Sequence, residues 1–426
     1  MIKDTGAVDA ASILFNLDDY RVLSVEASST AGRTVIVEPI STEAGCPSCG
    51  VLSSRIQARP VHRVKDVACG GKDLQVWVRK RRLACLEDAC KRRSFVQCTE
   101  QLPLRSRLTT RLVGEIVDAG MNELRAVTGI ARATGVSWPT VMRKLTATEK
   151  TVGDVDGRHV RWLGVDEHRF RKVRYVLGTT GKVMRVEPWS IVFTDLETGT
   201  ILDVVDGRRG PTVLSWIGKR PRAWRDRVRI VAMDMSAEFR KAVREALPEA
   251  EITVDHFHVV ALSNRMVTAV RLRRSHETVG RRGRMTEPSY KYRKLLTCNV
   301  ENMSSRQQVR LEEIIAADIE LGVVYAVKEK VRELLKTTDL EAFGTAWEAL
   351  EAGVRATTMP EAKSLLRTLK SWKAELQVFC VSRLTNARSE AANLTAKNMK
   401  RIGRGYRNHR NYRLRILLST AGLRPC

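Results

Sequence analysis

No run of apolar residues in this 426-residue chain approaches the ~20 needed to cross a bilayer. No transmembrane helix is therefore expected, and no membrane partner. The opening residues, MIKDTGAVDAAS, lack the basic-then-apolar layout of a secretory signal, so a soluble, cytoplasmic protein is the expectation. Internal repeats and low-complexity segments are missing too. Wholesale disorder is excluded, because 43% of the residues are hydrophobic, enough for packed cores. Negative charge is in deficit: 48 Asp and Glu face 74 Lys and Arg, a formal net charge of +26. A surplus of that size implies a polyanionic partner, most simply nucleic acid. The length suggests roughly two to four domains.

Nine cysteines are present, and six fall between Cys46 and Cys98. In a cytosolic chain such a cluster is more often a metal site than a set of disulfides. Cys46-Pro-Ser-Cys49-Gly is a CxxC knuckle, whose two thiolates can grip one face of a tetrahedral Zn²⁺. Its partner pair is read as Cys85 and Cys90, in CLEDAC, a wider gap than the commonest knuckle but a workable one. Between the pairs, VWVRKRRL (76–83) suits a strand feeding the second knuckle. Cys69, Cys98 and His62 are spare ligands, and buried free thiols are the alternative to a structural zinc.

Residues 104–150 have a helical pattern. Within them AVTGIARATGVSWPTVMRKL (126–145) fits a helix-turn-helix. Ala131 is the small residue where two helices cross, and Gly135 stands where the tight turn needs a positive φ. Ile130, Val136, Val141 and Leu145 fall at core spacings. Ser137 can cap the second helix, and Pro139 is tolerated in its first turn. Trp138, Thr140, Arg143 and Lys144 would then face a major groove of double-stranded DNA. An ordinary helical hairpin is the alternative.

From residue 158 the periodicity changes to that of strands. HVRWLGVDE (159–167), RYVLGTTG (174–181) and WSIVFTDLETGTILDVVDG (189–207) read as strands with turns at Thr180-Gly181 and Glu197-Thr198-Gly199. A helical stretch (211–226) follows, then a strand, VRIVAMDMS, an amphipathic helix, AEFRKAVREALP, and EITVDHFHVV, a strand turning into a helix. Three strands, a helix, a strand, a helix and a strand is the order of an α/β RNase H-like core. Residues 261–385 are almost wholly helical by pattern, too long for a minimal core and therefore an insertion. Between Arg265 and Lys294 they carry ten Lys and Arg against two Glu. A final helix, roughly 384–401, starts near Asn386 and bears Glu390. No acid follows Glu390, and nine cations from Lys397 to Arg424 make a basic tail.

Two acids stand out by position. Asp166 ends the first strand and Asp234 ends a later one. In an RNase H-like sheet these strand ends are neighbours, so the carboxylates converge and each raises the other's pKa. A cation between them relieves that cost, and oxygen ligands with room for water and phosphate suit Mg²⁺ or Mn²⁺, two ions per site. Such ions activate a water or a 3′-hydroxyl for in-line attack on a phosphodiester. Glu390 is the choice for the third acid. Glu390, Asn393 and Lys397 share a helical face, which would join a metal ligand to an amide and an ammonium facing DNA. Lys400, Arg401, Arg404 and Arg407 extend that surface. Glu167, Asp195, Asp203, Asp206 and Asp255 are competing acids. Asp255-His256-Phe257-His258 is read as structural or DNA-gripping rather than catalytic.

The CPSCG knuckle with CLEDAC, the GVDEHRFRK block, VAMDMSAEFRKAVREALPEAEITVDHFHVV and the ending SRLTNARSEAANLTAKNMKRIGRGYRNHRNYRLRILL carry a resemblance. The chain resembles bacterial insertion-sequence transposases of the ISL-three family, and through them the DDE transposases with an RNase H-like fold. The likeness runs from about 45 to 420. It implies that Asp166, Asp234 and Glu390 are the catalytic, Mg²⁺-binding acids. It also implies binding of terminal inverted repeats, cleavage at the ends, joining to target DNA, and a homodimer or larger assembly on paired ends, on the bacterial nucleoid. The segment before Glu390, Asn-Ala-Arg-Ser, departs from the small, Gly-Pro-like approach expected there. The domain plan is an N-terminal segment (1–44), a zinc-ribbon-like module (45–100), a helix-turn-helix domain (104–150), the first part of the core (158–262), the helical insertion (263–383), and the core's last helix with its basic tail (384–426). A zinc and helix-turn-helix transcriptional regulator with an inactive core, and a metal-dependent DNA nuclease, are the alternatives.

Overall fold

The computed structural model describes residues 10–28, 32–69, 74–179 and 181–421. Thr180 of the expected turn and Arg424 of the basic tail lie outside them. The chain divides into two compact units: residues 1–153 with 399–426, and residues 154–398. No described helix is long and apolar enough to cross a membrane.

The first unit is built on a four-stranded sheet in the order Tyr20–Ser28, Gly32–Pro39, Leu74–Arg79, Val61–Val64. Leu74, Val76 and Val78 alternate inward onto Leu17, Tyr20, Val35 and Val37, the period of a half-buried strand. The opening 44 residues, which showed no motif, therefore supply two strands of the sheet that the Cys-rich segment completes. The single strand expected over 76–83 is two, Leu74–Arg79 and Arg82–Ala84, in different sheets. Arg81 causes the break. Its guanidinium is buried, donates to the carbonyls of Pro39 and Ser41 and pairs with Glu38 at 3.6 Å. That anchorage turns the chain out of the first sheet.

Three helices follow, Thr110–Met121, Val127–Thr134 and Trp138–Ala147, and a fourth, His409–Ala421, packs on the first. Leu112, Ile116, Ile130, Val141, Leu145, Leu414 and Leu418 share one core. Gly135 ends the second helix at φ +63°, where a side chain would be strained. Ser137 stands at the next N-cap, but its hydroxyl pairs with Thr140 Oγ1 at 2.9 Å rather than with a backbone N–H.

The second unit is mixed α/β. We number its elements β1 (Trp162–Arg169), β2 (Arg174–Leu177), β3 (Val183–Val186), β4 (Trp189–Asp195), β5 (Ile201–Asp206), α1 (Gly210–Gly218), β6 (Ile230–Met233), α2 (Ala237–Ala246), β7 (Glu251–Val254), α3 (His256–Val279) and α4 (Ala387–Ile402). Five strands make one sheet in the order β5-β4-β1-β6-β7. β4 runs antiparallel to β1 and β5 antiparallel to β4, while β6 and β7 run parallel to β1. A strand flanked on both sides and covered on both faces reads as a continuous apolar run, which is why IVAM of β6 has no polar residue. Val213, Trp216 and Ile217 of α1 and Phe239 and Val243 of α2 pack on Leu163, Val165 and Phe193. From α3 to Ser382 the chain is helical around a separate core that includes Val267, Val331, Trp347, Leu369 and Phe379. Of the strand read over 174–181, Arg174–Leu177 forms as β2; it pairs not in the five-stranded sheet but with β3, a strand that was not expected, in a separate two-stranded ribbon.

Candidate active site

The register of β1 on β6 fixes the centre of the site. Val165 pairs with Met233 in parallel, so the next residues, Asp166 and Asp234, lie side by side; Asp234 stands just past the end of β6, whereas Asp166 does not end β1 as expected, since that strand continues on β4 through Arg169. Asp166 pays for that neighbour. Burial first, and then the charge of Asp234, push its carboxyl up to about 7, against the Glu167 N–H and Asn393 that favour its anion.

The helix α4 brings the next groups. It closes on β1 at Gly164, where a Cβ would come within 2.1 Å of Ser389 Oγ and 2.8 Å of Leu196 Cδ2. Only glycine allows this approach. One residue past Ser389 stands Glu390, exposed, its carboxyl raised by desolvation and by the charge of Asp255. One turn further, Asn393 is buried. Its Nδ2 donates to Asp166 Oδ2, and its Oδ1 lies 3.0 Å from His168 Nδ1. The amide must therefore accept from His168, which fixes that ring's tautomer. Asn393 was expected to face DNA with Lys397. Its amide is instead spent on positioning Asp166, and Lys397 is exposed.

β7 and α3 supply two groups that were read as structural or DNA-gripping. Asp255 caps α3 by accepting from the Phe257 N–H. His258, in the first turn, places Nε2 2.9 Å from Asp234 Oδ1. Ligand atoms of Asp234, Asp255 and His258 all lie within 4.8 Å of one another. Hydrogen bonding to Asp234 holds the His258 pKa above its ordinary value, against desolvation. The D-x-x-H spacing was visible, but only β7 beside β6 reveals its target.

An open cleft of about 710 Å³ runs past Asp234 and His258, with Arg208, Arg209 and Arg265 on its walls. Of the competing acids, Glu167 pairs with Arg208 at 3.3 Å in this cleft. Asp195 holds a turn through the Glu197 N–H and Thr198, and Asp203 accepts from Trp216 Nε1 at 2.9 Å.

In the first unit, Cys46, Cys49, Cys85 and Cys90 converge, with all four Sγ atoms within 4.8 Å of one another. Cys69, Cys98 and His62 stand apart from the cluster. Burial opposes ionisation of Cys46, but the N–H groups of Ser48 and Cys49 and the neighbouring thiols bring it down to about 6. One thiolate is thus favoured among four sulfurs, a set suited to tetrahedral Zn²⁺. On the third helix Trp138 and Arg143 are exposed, while Thr140 and Lys144 are half-buried. Of the expected basic surface, Arg401, Arg404 and Arg407 are exposed and Lys400 is half-buried. Further on the tail turns structural. Arg413 pairs with Glu149 at 3.0 Å, and Arg415 is buried, donating to the carbonyls of Gly120 and Arg125.

A family model described as transposase, of the DDE ISL-three type, matches residues 163–416. The chain belongs to this family. It is a DDE-type DNA transposase, and Asp166, Asp234 and Glu390 lie inside the matched stretch. The transposase is also 25% identical over 412 residues to the transposase for insertion sequence element IS1001 of Bordetella parapertussis, covering 95% of this chain and 96% of that one. Among solved structures, the Drosophila P element transposase strand transfer complex aligns with 72% of this chain and 91% of its own, at 11% identity and a TM-score of 0.39. The Cys₄ cluster and the helix-turn-helix lie before the matched residues, so their reading rests on their own geometry.

Proposed function

We propose that this transposase binds the terminal inverted repeats of its element, cuts the DNA at those ends and joins the 3′-hydroxyls to a target. The five-stranded sheet with α4 is read as an RNase H-like core, and the helices over 263–383 as an insertion in it. The observation that carries the reading is that Asp166 on β1 lies beside Asp234 at the end of β6, while Glu390, on the helix packed on β1 at Gly164, is within electrostatic range of Asp234 and Asp255.

A family of this kind uses divalent metal, and the residues fit it. Asp166 holds a carboxyl beside that of Asp234 at the cost of a raised pKa. Asp255 Oδ2 is buried with no hydrogen-bond partner among the described residues. Both fit an oxygen-rich site for a hard cation. Asp166, Asp234 and Glu390 would hold two Mg²⁺ or Mn²⁺ ions, with Asp255 and His258 beside Asp234. When bound, the ions supply Lewis acidity for the attacking and leaving oxygens of an in-line displacement.

The remaining work belongs to the chain. Asn393 holds Asp166 in one rotamer, and His168 holds Asn393. His258 donates to Asp234 and fixes its orientation. Arg208, Arg209 and Arg265 give the cleft the positive charge that a phosphodiester needs. The Cys₄ cluster would hold a structural zinc in the 45–100 module. Trp138, Thr140, Arg143 and Lys144 would read the ends, Thr140 through a hydroxyl shared with Ser137. Lys397, Lys400, Arg401, Arg404 and Arg407 would hold phosphates, and the protein would act as a homodimer or larger assembly on paired ends.

The test is excision from a plasmid carrying the element's two ends. Purified protein with Mg²⁺ should release the segment between the ends and leave unrelated plasmid intact. Cutting without preference for the ends would favour the nuclease, and tight end binding with no product would favour the regulator.

A further inference from the structure

The ribbon of β2 and β3 is the part of the second unit that the site does not explain. Its register pairs Tyr175 with Arg185 and Leu177 with Val183. Directly opposed residues share a face, so Tyr175, Leu177 and Val183 form an apolar stripe beside Arg185. These three are 70%, 74% and 66% exposed. A two-stranded ribbon by itself is marginally stable in water, and an exposed apolar stripe marks a surface that meets a partner.

Charge decides which partner. From Arg169 to Val186 the chain carries six Lys and Arg and no acid. Lys172, Arg174 and Lys182 make no ion pair among the described residues. A second ribbon laid against the first would set like charge on like charge. A DNA end satisfies both features, with phosphates for the cations and base faces for the apolar side chains. The major groove admits a two-stranded ribbon, and apolar side chains can wedge between base steps and unstack them. Position agrees. β1 carries Asp166 and leads straight into the ribbon, with Arg174 only eight positions on. A four-residue strand spans about 13 Å, so the ribbon works within a few base pairs of the carboxylates.

We propose that this ribbon grips the DNA end next to the scissile phosphate. Lys172, Arg174 and Lys182 hold the backbone, while Leu177 and Val183 unstack the terminal base pairs and let one strand enter the cleft. The proposal rests on reading the cleft as the transposase active centre.

The experiment uses the full chain and a duplex carrying one element end, with 2-aminopurine beside the cut. Fluorescence is read without metal, and cleavage of paired and of terminally mismatched ends is read in Mg²⁺. Wild type should raise the fluorescence on binding. Leu177→Ser with Val183→Ser should abolish that rise and slow cleavage of paired ends about tenfold or more, since unstacking costs a few kcal/mol per step. The same variant should cut mismatched ends within about twofold of wild type, because those ends need no unstacking. Arg174→Glu with Lys182→Glu should weaken end binding and flatten its salt dependence by about two phosphate contacts. Normal fluorescence and normal cleavage of paired ends in the Ser variant would overturn the proposal. So would a defect that mismatches do not rescue, accompanied by loss of dimers in sedimentation, which would make the ribbon a protein interface. Failure of wild type to cut even mismatched ends would instead remove the active-centre reading beneath it.

Discussion

Replacing Asp166 by Asn should stabilise the metal-free protein while ending its activity. Burial and the charge of Asp234 displace the Asp166 carboxyl from an ordinary 3.8 to about 7. The folded pKa is raised, so the unfolded chain sheds this proton first, and stability falls as pH rises from about 4 through about 7. Three units at 1.36 kcal/mol each come to about 4 kcal/mol once the group is ionised, and about 2–3 kcal/mol of that falls between pH 5 and pH 8. Asn removes the charge but keeps only part of the bonding. It can still accept from Asn393, whereas its own amide would face the Glu167 N–H that Asp166 Oδ1 now accepts at 2.7 Å. Losing that bond costs about 1–2 kcal/mol. The net gain at pH 8 is therefore about 2 kcal/mol. Denaturation followed by tryptophan fluorescence suits the measurement, since six of the eight Trp lie in the second unit. His258 and Glu390 also have raised pKa values and add slope of the same sign, so the quantity to read is the difference between wild type and variant. Adding Mg²⁺ at pH 8 should close most of that difference. A variant no more stable than wild type at pH 8, or a gap independent of pH, would refute the reasoning.

Other consequences can be checked independently. Gly164→Ala should push Ser389 from the sheet, costing about 1–3 kcal/mol by overpacking and lowering cleavage by moving Glu390; Ser389→Gly should restore part of both. Cys46→Ser should take the zinc content from one ion per chain to none and lower the melting temperature of the first unit, since structural zinc supplies folding energy; an equally stable, zinc-free wild type would remove the metal from the account. Arg415→Ala should destabilise the first unit by about 2–4 kcal/mol through two orphaned carbonyls and a cavity, whereas Arg404→Ala should leave melting unchanged and weaken DNA binding; urea melts and end-binding isotherms separate the two. End affinity should fall with salt at a log–log slope of about −0.9 per phosphate contacted, and a flat response would contradict DNA binding by a +26 chain.

What could be read from the sequence follows the range of the interactions. Asp166 and Asp234 were legible because each ends an apolar run whose burial is local and periodic. The four thiols were legible because metal ligands come in short, recognisable spacings. The contact of His258 with Asp234 was not legible, because Asp234 follows another strand and nothing at 258 announces which side chain the first turn of α3 will meet. Asn393 was placed on the right helix with the wrong task, because the bond to Asp166 spans 227 positions. β2 fell within a stretch read as a strand, but β3 was not foreseen, because VMRV is four residues long and shows no alternation of apolar and polar side chains. Of the opening strands, Gly32–Pro39 was silent because its pairing with Leu74–Arg79 is parallel and distant, and Tyr20–Ser28 joins the sheet only through Gly32–Pro39. The structural part of the basic tail was not legible, because a sequence cannot say which arginine is buried, and Arg415 is.

The central claim is that the carboxylate cluster performs metal-dependent cutting and joining of DNA ends. Its most direct test takes linear DNA carrying one element end, a target plasmid, and the protein with Mg²⁺, with EDTA, and as Asp234→Asn. Joined products in Mg²⁺ that vanish with EDTA and in the variant, while the variant still binds the end, are the expected result. Products that persist in Asp234→Asn would place the chemistry elsewhere in the protein.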